Sequence, residues 1–126
     1  AEQYSAIEVL DSVFINGKFT LGENIGDLGG VLGAYDGLQM HFSEYGRPED
    51  IDGFTAEQRF FMSWATVWRT KIREDALRTQ IKTDPHSPGT TRAIQPLLNV
   101  QAFYDAFDIK EGDSMYLAPE RRVHIW

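Results

Sequence analysis

Glu23 and Asp27 stand four residues apart in the stretch Gly22-Glu23-Asn24-Ile25-Gly26-Asp27-Leu28-Gly29-Gly30. In a helix, side chains at this spacing lie on one face. Two carboxylates aimed at one point suit a metal ligand with a supporting neighbour. Taken alone, the pair also fits a solvated acidic helix start, because carboxylates in a first turn are stabilised by the helix dipole. A Glu can complete a His₂Glu zinc set when two imidazoles come from an H-E-x-x-H helix. The histidines here are His41, His86 and His124, and no two are four apart. The chain therefore offers a third ligand without the first two.

The elements that must position these residues are mostly helical. A helix is expected from about Glu23 to Tyr45. Gly22, Gly26 and Gly30 recur along it at intervals of four, as do Gly29, Gly33 and Gly37. Each costs roughly 1 kcal/mol relative to Ala in a helix interior, so close approach of another helix or of a substrate is expected there. Thr55-Ala56-Glu57-Gln58 has the form of a capping box. Behind it Phe61, Trp64, Ala65, Trp68 and Ile72 share a stripe at helical spacing, and this helix is expected to reach Ile81. The aromatic part of the stripe, Phe61, Trp64 and Trp68, reads as core.

Asp84-Pro85-His86-Ser87-Pro88-Gly89 forbids regular structure, since each proline removes an N–H and fixes φ. Asn99 is placed to cap a short helix that pairs Phe103 with Phe107. Tyr4, Ile7 and Leu10 suggest a turn or two of helix near the start. Val13-Phe14-Ile15 and Lys18-Phe19-Thr20 flank Asn16-Gly17, a strong hairpin signal. The expected fold is mainly α with one small β-hairpin.

Composition narrows the partners. At 126 residues the chain is one domain or part of one. Its net charge is -7, with no cationic track for phosphates, so nucleic acid is not an expected partner. Apolar runs fall far short of the roughly 20 residues of a membrane span, and no signal-like segment opens the chain. There are no cysteines, which excludes disulfides and thiolate metal sites. The start at Ala1, without Met, fits a processed form or a piece of something longer.

Several motifs together resemble one family. Glu23-Asn24-Ile25-Gly26-Asp27-Leu28-Gly29-Gly30 resembles the E-N-I/L-A/G-D-x-G-G motif of the neprilysin and endothelin-converting-enzyme zinc metallopeptidases. Phe60-Phe61-Met62-Ser63-Trp64-Ala65-Thr66-Val67-Trp68 is similar to that family's F-F-x-x-F/W-A-x-V/W-W helix, and residues 83–89 to its T-D-x-H-S-P-G loop. The tail, through Met115-Tyr116 to Trp126, resembles the family's end. The matches run in order over nearly the whole chain. The resemblance implies that residues 1–126 are the helical C-terminal portion of a zincin-type catalytic domain.

The resemblance also implies roles. Glu23 becomes the third zinc ligand. Asp27 either supports a zinc-binding His from behind or acts as a proton donor. His86 becomes the donor to the oxyanion of the tetrahedral intermediate, with Asp84 holding its imidazole charged. Arg92 would grip a substrate carbonyl with its fork of donors. Without family context, His86 reads rather as an exposed loop histidine and Arg92 as an ordinary surface arginine. His41 and His124 read as surface or packing residues.

The cofactor implied is one zinc ion, held jointly with an H-E-x-x-H segment on the N-terminal side of this stretch. The implied partners are a peptide substrate and that missing N-terminal part. Self-association is expected if the face bearing Glu23 and the glycines stays uncovered. Val123 occupies the position of a Cys in the animal enzymes, which points to a bacterial-type member. An extracytoplasmic home, periplasmic, secreted or membrane- or lipid-anchored, follows from the resemblance. The chain by itself is expected to be inactive. The alternative is a non-catalytic helical module that binds peptides or partners and lacks the zinc helix.

Overall fold

A single 25-residue helix organises the chain in the computed structural model, which describes residues 1–125. Trp126, the terminal Trp of the resemblance, lies outside the described residues. In chain order the elements are α1 (Glu2–Ser5), β1 (Glu8–Leu10), β2 (Val13–Phe14), α2 (Leu21–Tyr45), α3 (Ala56–Val67), α4 (Glu74–Thr83), α5 (Gly89–Ile94) and α6 (Gln101–Phe107). Single 3₁₀ turns lie at Leu97–Asn99 and Pro119–Arg121. The chain is mainly α with one two-stranded hairpin, as the sequence predicts.

The core forms where α2 meets α3, α6 and the first 3₁₀ turn. Leu28 and Val31 of α2 pack with Phe61, Leu97, Val100, Phe103 and Tyr104. Tyr35 stacks on Phe61 with ring centroids 5.5 Å apart, and Phe61 meets Phe103 edge-on at 5.4 Å. Such pairs add to what area burial alone contributes. The capping box forms as expected. Thr55 Oγ1 accepts from the Gln58 N–H at 3.2 Å, and Gln58 Oε1 accepts from the Thr55 N–H at 3.0 Å. Gln58 Nε2 also donates to the Ala106 carbonyl at 2.9 Å, which fixes α3 against α6.

Four expectations need correction. The hairpin turns at Asp11-Ser12, not at Asn16-Gly17; Glu8 pairs with Phe14 and Leu10 with Val13. Ser12 takes φ 57° and its N–H donates to Glu8 Oε1 at 2.7 Å, so a local carboxylate supports the left-handed turn. Asn16 instead organises the entry to α2, accepting from the Phe19 N–H through Oδ1 and from the Thr20 N–H through its carbonyl. Gly17 is required by close approach, since a Cβ there would collide with the Ala1 carbonyl and lie 2.6 Å from Ser5 Oγ. The early helix stops at Ser5, and Leu10 belongs to the hairpin.

The helix from Thr55 ends at Val67 rather than reaching Ile81. Trp68 leaves helical geometry, and its carbonyl accepts from the Thr70 N–H at 2.7 Å. Gly89 sits over this break: a Cβ there would lie 2.6 Å from Thr70 Oγ1 and 2.9 Å from the Trp68 carbonyl. Asn99 does not cap α6, whose N-cap is Val100. Its amide donates to the Gln95 carbonyl and its oxygen accepts from the Val123 N–H, which fastens the tail. The helix or substrate expected against the glycines of α2 is not supplied by this chain: a Cβ built at Gly22, Gly26, Gly30, Gly33 or Gly37 meets nothing within 4 Å. No described element approaches these glycines.

Candidate functional site

The first two turns of α2 carry the predicted carboxylates. The loop before α5, and α5 itself, carry the groups that meet them. Glu23 Oε2 lies 2.9 Å from His86 Nε2. The other ring nitrogen, Nδ1, lies 2.7 Å from Asp84 Oδ1, and the His86 backbone N–H donates to the same oxygen at 2.9 Å. The imidazole is therefore strung between two carboxylates. The backbone and then the side-chain hydrogen bond from His86 hold the Asp84 carboxyl below its ordinary range.

One turn deeper, Asp27 accepts both hydrogen bonds of a guanidinium fork. Arg92 Nε donates to Oδ2 and Nη2 to Oδ1, each at 2.7 Å. The Arg92 guanidinium lies over the Trp68 ring, 3.8 Å from its centroid. Trp64 Nε1 donates to the Arg92 carbonyl at 3.0 Å. The guanidinium is thus fixed in its plane by Asp27 and across its face by an indole. Three of its five N–H donors remain uncommitted to Asp27. Tyr4 is buried near this pair; burial first, and then the Asp27 charge, push its hydroxyl pKa upward against a smaller opposing effect of Arg92.

Exposure separates the two pairs. The Asp27 and Arg92 side chains are 8% and 16% exposed, whereas those of Glu23, His86 and Asp84 are 41% to 46% exposed. The inner pair is a fixed strut. The outer group forms a rim that a ligand can reach. A cavity of about 540 Å³ opens beside Asn24, between α1, the start of α2 and the tail, but none of the four residues Glu23, Asp27, His86 and Arg92 lines it.

The sequence reading passed over Trp64 and Trp68, treated as core, and over Asn24, Ser87 and Thr20. The helical stripe gave no sign that one indole supports a guanidinium. The His41 and Tyr45 rings meet at a tilt, centroids 4.8 Å apart, near the C-terminal end of α2, and His124 is exposed.

A tetrahedral zinc site with an open position takes three protein ligands. Among the described residues no cluster of three or more His, Cys, Asp or Glu is placed to hold a metal ion. Glu23 fits as the donor of one carboxylate oxygen from an accessible rim.

This arrangement of helices is closely similar to part of a solved structure, the Mycobacterium tuberculosis zinc metalloprotease ZMP1 in complex with an inhibitor. The TM-score is 0.93 and the identity 44%, over 99% of this chain and 20% of that one. The fold is therefore that of a helical part of a zinc metalloprotease structure. The profile of peptidase family M13 matches residues 1–123. The neutral endopeptidase of Lactococcus lactis subsp. cremoris is 38% identical over 111 residues, covering 88% of this chain and 16% of that protein. Neprilysin of Mus musculus is 39% identical over 114 residues, covering 89% and 15%. The chain belongs to peptidase family M13, the neprilysin family, and spans about a sixth of these two relatives.

Proposed function

We propose that this chain is the C-terminal portion of the catalytic domain of a zinc metalloendopeptidase that hydrolyses peptide bonds in oligopeptides. The observation that carries the reading is the convergence of Glu23, Asp84 and His86 on one rim, braced by the Asp27–Arg92 fork one turn away. Glu23 would hold zinc together with two imidazoles from an H-E-x-x-H helix elsewhere in the full protein. Zinc, when bound, supplies Lewis-acid polarisation of the scissile carbonyl and an activated water.

The chain's own residues then act on the substrate. His86 Nε2 points toward the Glu23 carboxylate, so a carbonyl oxygen beside that carboxylate lies within reach of its N–H. A donor aimed at developing negative charge is worth about 3–4 kcal/mol of barrier. Asp84 orients the ring through Nδ1. The free N–H groups of Arg92 can take a substrate backbone carbonyl while Asp27 and Trp68 hold the guanidinium still. Both Asp27 oxygens serve as acceptors for Arg92, which favours a supporting role over proton donation.

The closing experiment measures zinc content and peptide hydrolysis in the full-length protein and in Glu23→Ala. Glu23→Ala is expected to lose stoichiometric zinc and activity together. Retention of tight zinc by Glu23→Ala removes Glu23 from the ligand set. The isolated chain is expected to cleave no peptide and to self-associate in sedimentation, because Phe19, Leu21 and Ile25 expose apolar surface at the start of α2. Among the described residues no helix is long and apolar enough to cross a membrane. An extracytoplasmic location for the whole protein is proposed from the family resemblance, and a human relative bears the name membrane metallo-endopeptidase-like 1.

A further inference from the structure

Directly behind Glu23 and His86 lies a second contact between their chain neighbours. Ser87 Oγ donates to Asn24 Oδ1 at 2.8 Å. Asn24 Nδ2 donates to Thr20 Oγ1 at 2.9 Å, and the Thr20 hydroxyl donates to the Asn16 carbonyl at 3.3 Å. Each hydroxyl has one proton, so the chain of donors runs one way, from Ser87 through Asn24 and Thr20 to the backbone. Ser87 is 2% exposed, Thr20 4% and Asn24 5%. At such burial a lost partner leaves a polar atom with no water to replace it.

We infer that Ser87 and Asn24 are positioning residues that set the distance between His86 and Glu23. The inference rests on the role proposed above for His86. Two neighbouring pairs lie side by side: Asn24 meets Ser87 inside, and Glu23 meets His86 at the rim. The other hydrogen bonds of residues 84–88 run between Asp84 and His86, to Gln80 of α4, and from the Thr91 and Arg92 N–H groups of α5 to the Pro88 carbonyl; apart from the rim contact of His86 with Glu23, none of them reaches α2. The rim contact itself joins half-exposed side chains and is free to open. The Asp27–Arg92 fork ties the start of α5 to α2, and the buried contact between Ser87 and Asn24 ties the loop itself to α2, directly beside His86. Loss of that second tie moves the imidazole without removing it.

The test is a mutant cycle in the full-length enzyme, with kcat and KM measured on a peptide substrate. Ser87→Ala is expected to lower kcat by about 10- to 100-fold, the scale of a misplaced catalytic group, with KM changed less than about twofold. Ser87→Thr, which keeps the hydroxyl, is expected to recover most of the loss. In a His86→Gln background Ser87→Ala is expected to cost little more, because both act through one group. A readout independent of turnover is amide hydrogen exchange in metal-free protein, which should quicken across residues 84–88 in Ser87→Ala and not elsewhere. Where Ser87→Ala does not accumulate as folded enzyme, Ser87→Cys leaves no void and supplies a weaker donor, and should give an intermediate loss.

Equal losses from Ser87→Ala in both backgrounds, or unchanged loop exchange, overturn the positioning role. An unchanged kcat in His86→Gln alone instead overturns the role of His86 on which the inference rests.

Discussion

The Arg92 guanidinium meets the Asp27 carboxylate through two parallel 2.7 Å hydrogen bonds, across 65 residues of sequence. Both side chains are largely buried, so each shields the other from an unpaired state. Removing one partner strands a charge, which costs about 3–5 kcal/mol. Arg92→Met and Asp27→Leu are each expected to lose stability on that scale in denaturant titration. The double variant is expected to recover much of it, because no charge is left behind. Arg92→Lys keeps the charge and loses the fork and the stacking on Trp68, and should fall between.

Asp84 gives the loop a pH dependence whose sign is set by its depressed carboxyl. A folded pKa below the unfolded one contributes order that is fully present above the ordinary carboxylate value. That contribution is lost as pH falls through the depressed folded value. The protection of amides across residues 84–88, taken relative to their intrinsic exchange rate at each pH, is expected to be constant from neutrality down to about the ordinary Asp pKa of 3.9 and to fall below it. Asp84→Asn should show lower protection near neutrality, converge with the parent at low pH, and so flatten the profile.

Two glycines should respond to Ala with opposite sign. Gly89→Ala forces a Cβ against the Thr70 hydroxyl and the Trp68 carbonyl, and overpacking of this kind costs about 1–3 kcal/mol. It should also disturb the indole under Arg92. Gly30 lies in the interior of α2 with open space around it. Gly30→Ala is expected to stabilise the isolated chain by about 0.5–1 kcal/mol. Thermal unfolding of both variants checks the pair.

Phe61 joins α2, α3 and α6 through its contacts with Tyr35 and Phe103 and is 1% exposed. Phe61→Ala is expected to destabilise the chain by about 3–5 kcal/mol. Phe61→Leu should cost less, since it leaves a smaller void. Chemical denaturation of the two variants gives the comparison.

Features governed by neighbours in sequence were readable in advance. The Thr55–Gln58 capping box closes within one helical turn and needs nothing from the rest of the chain. The body of α2 follows from the order of its residues, and its start differs by two positions. The Asn16-Gly17 signal misled because its turn chemistry is used differently: Asn16 braces the entry to α2, and Gly17 admits the backbone of α1. The break after Val67 also escaped the periodic pattern. The apolar stripe continues through Trp68 and Ile72, whereas the chain turns where Gly89 packs against Trp68 and Thr70.

By itself, the sequence determined which helices can form, where carboxylates share a face, and which family the motifs resemble. These depend on 3.6-residue periodicity and on side chains within a turn of one another. Tertiary structure decided which of Arg92's donors face Asp27, which indole lies beneath that guanidinium, and that Ser87 and Asn24 meet behind His86 and Glu23. Those pairings join residues more than sixty positions apart or on opposite sides of a helix break. Their geometry comes from how α2, α3 and α5 pack, which no local spacing encodes.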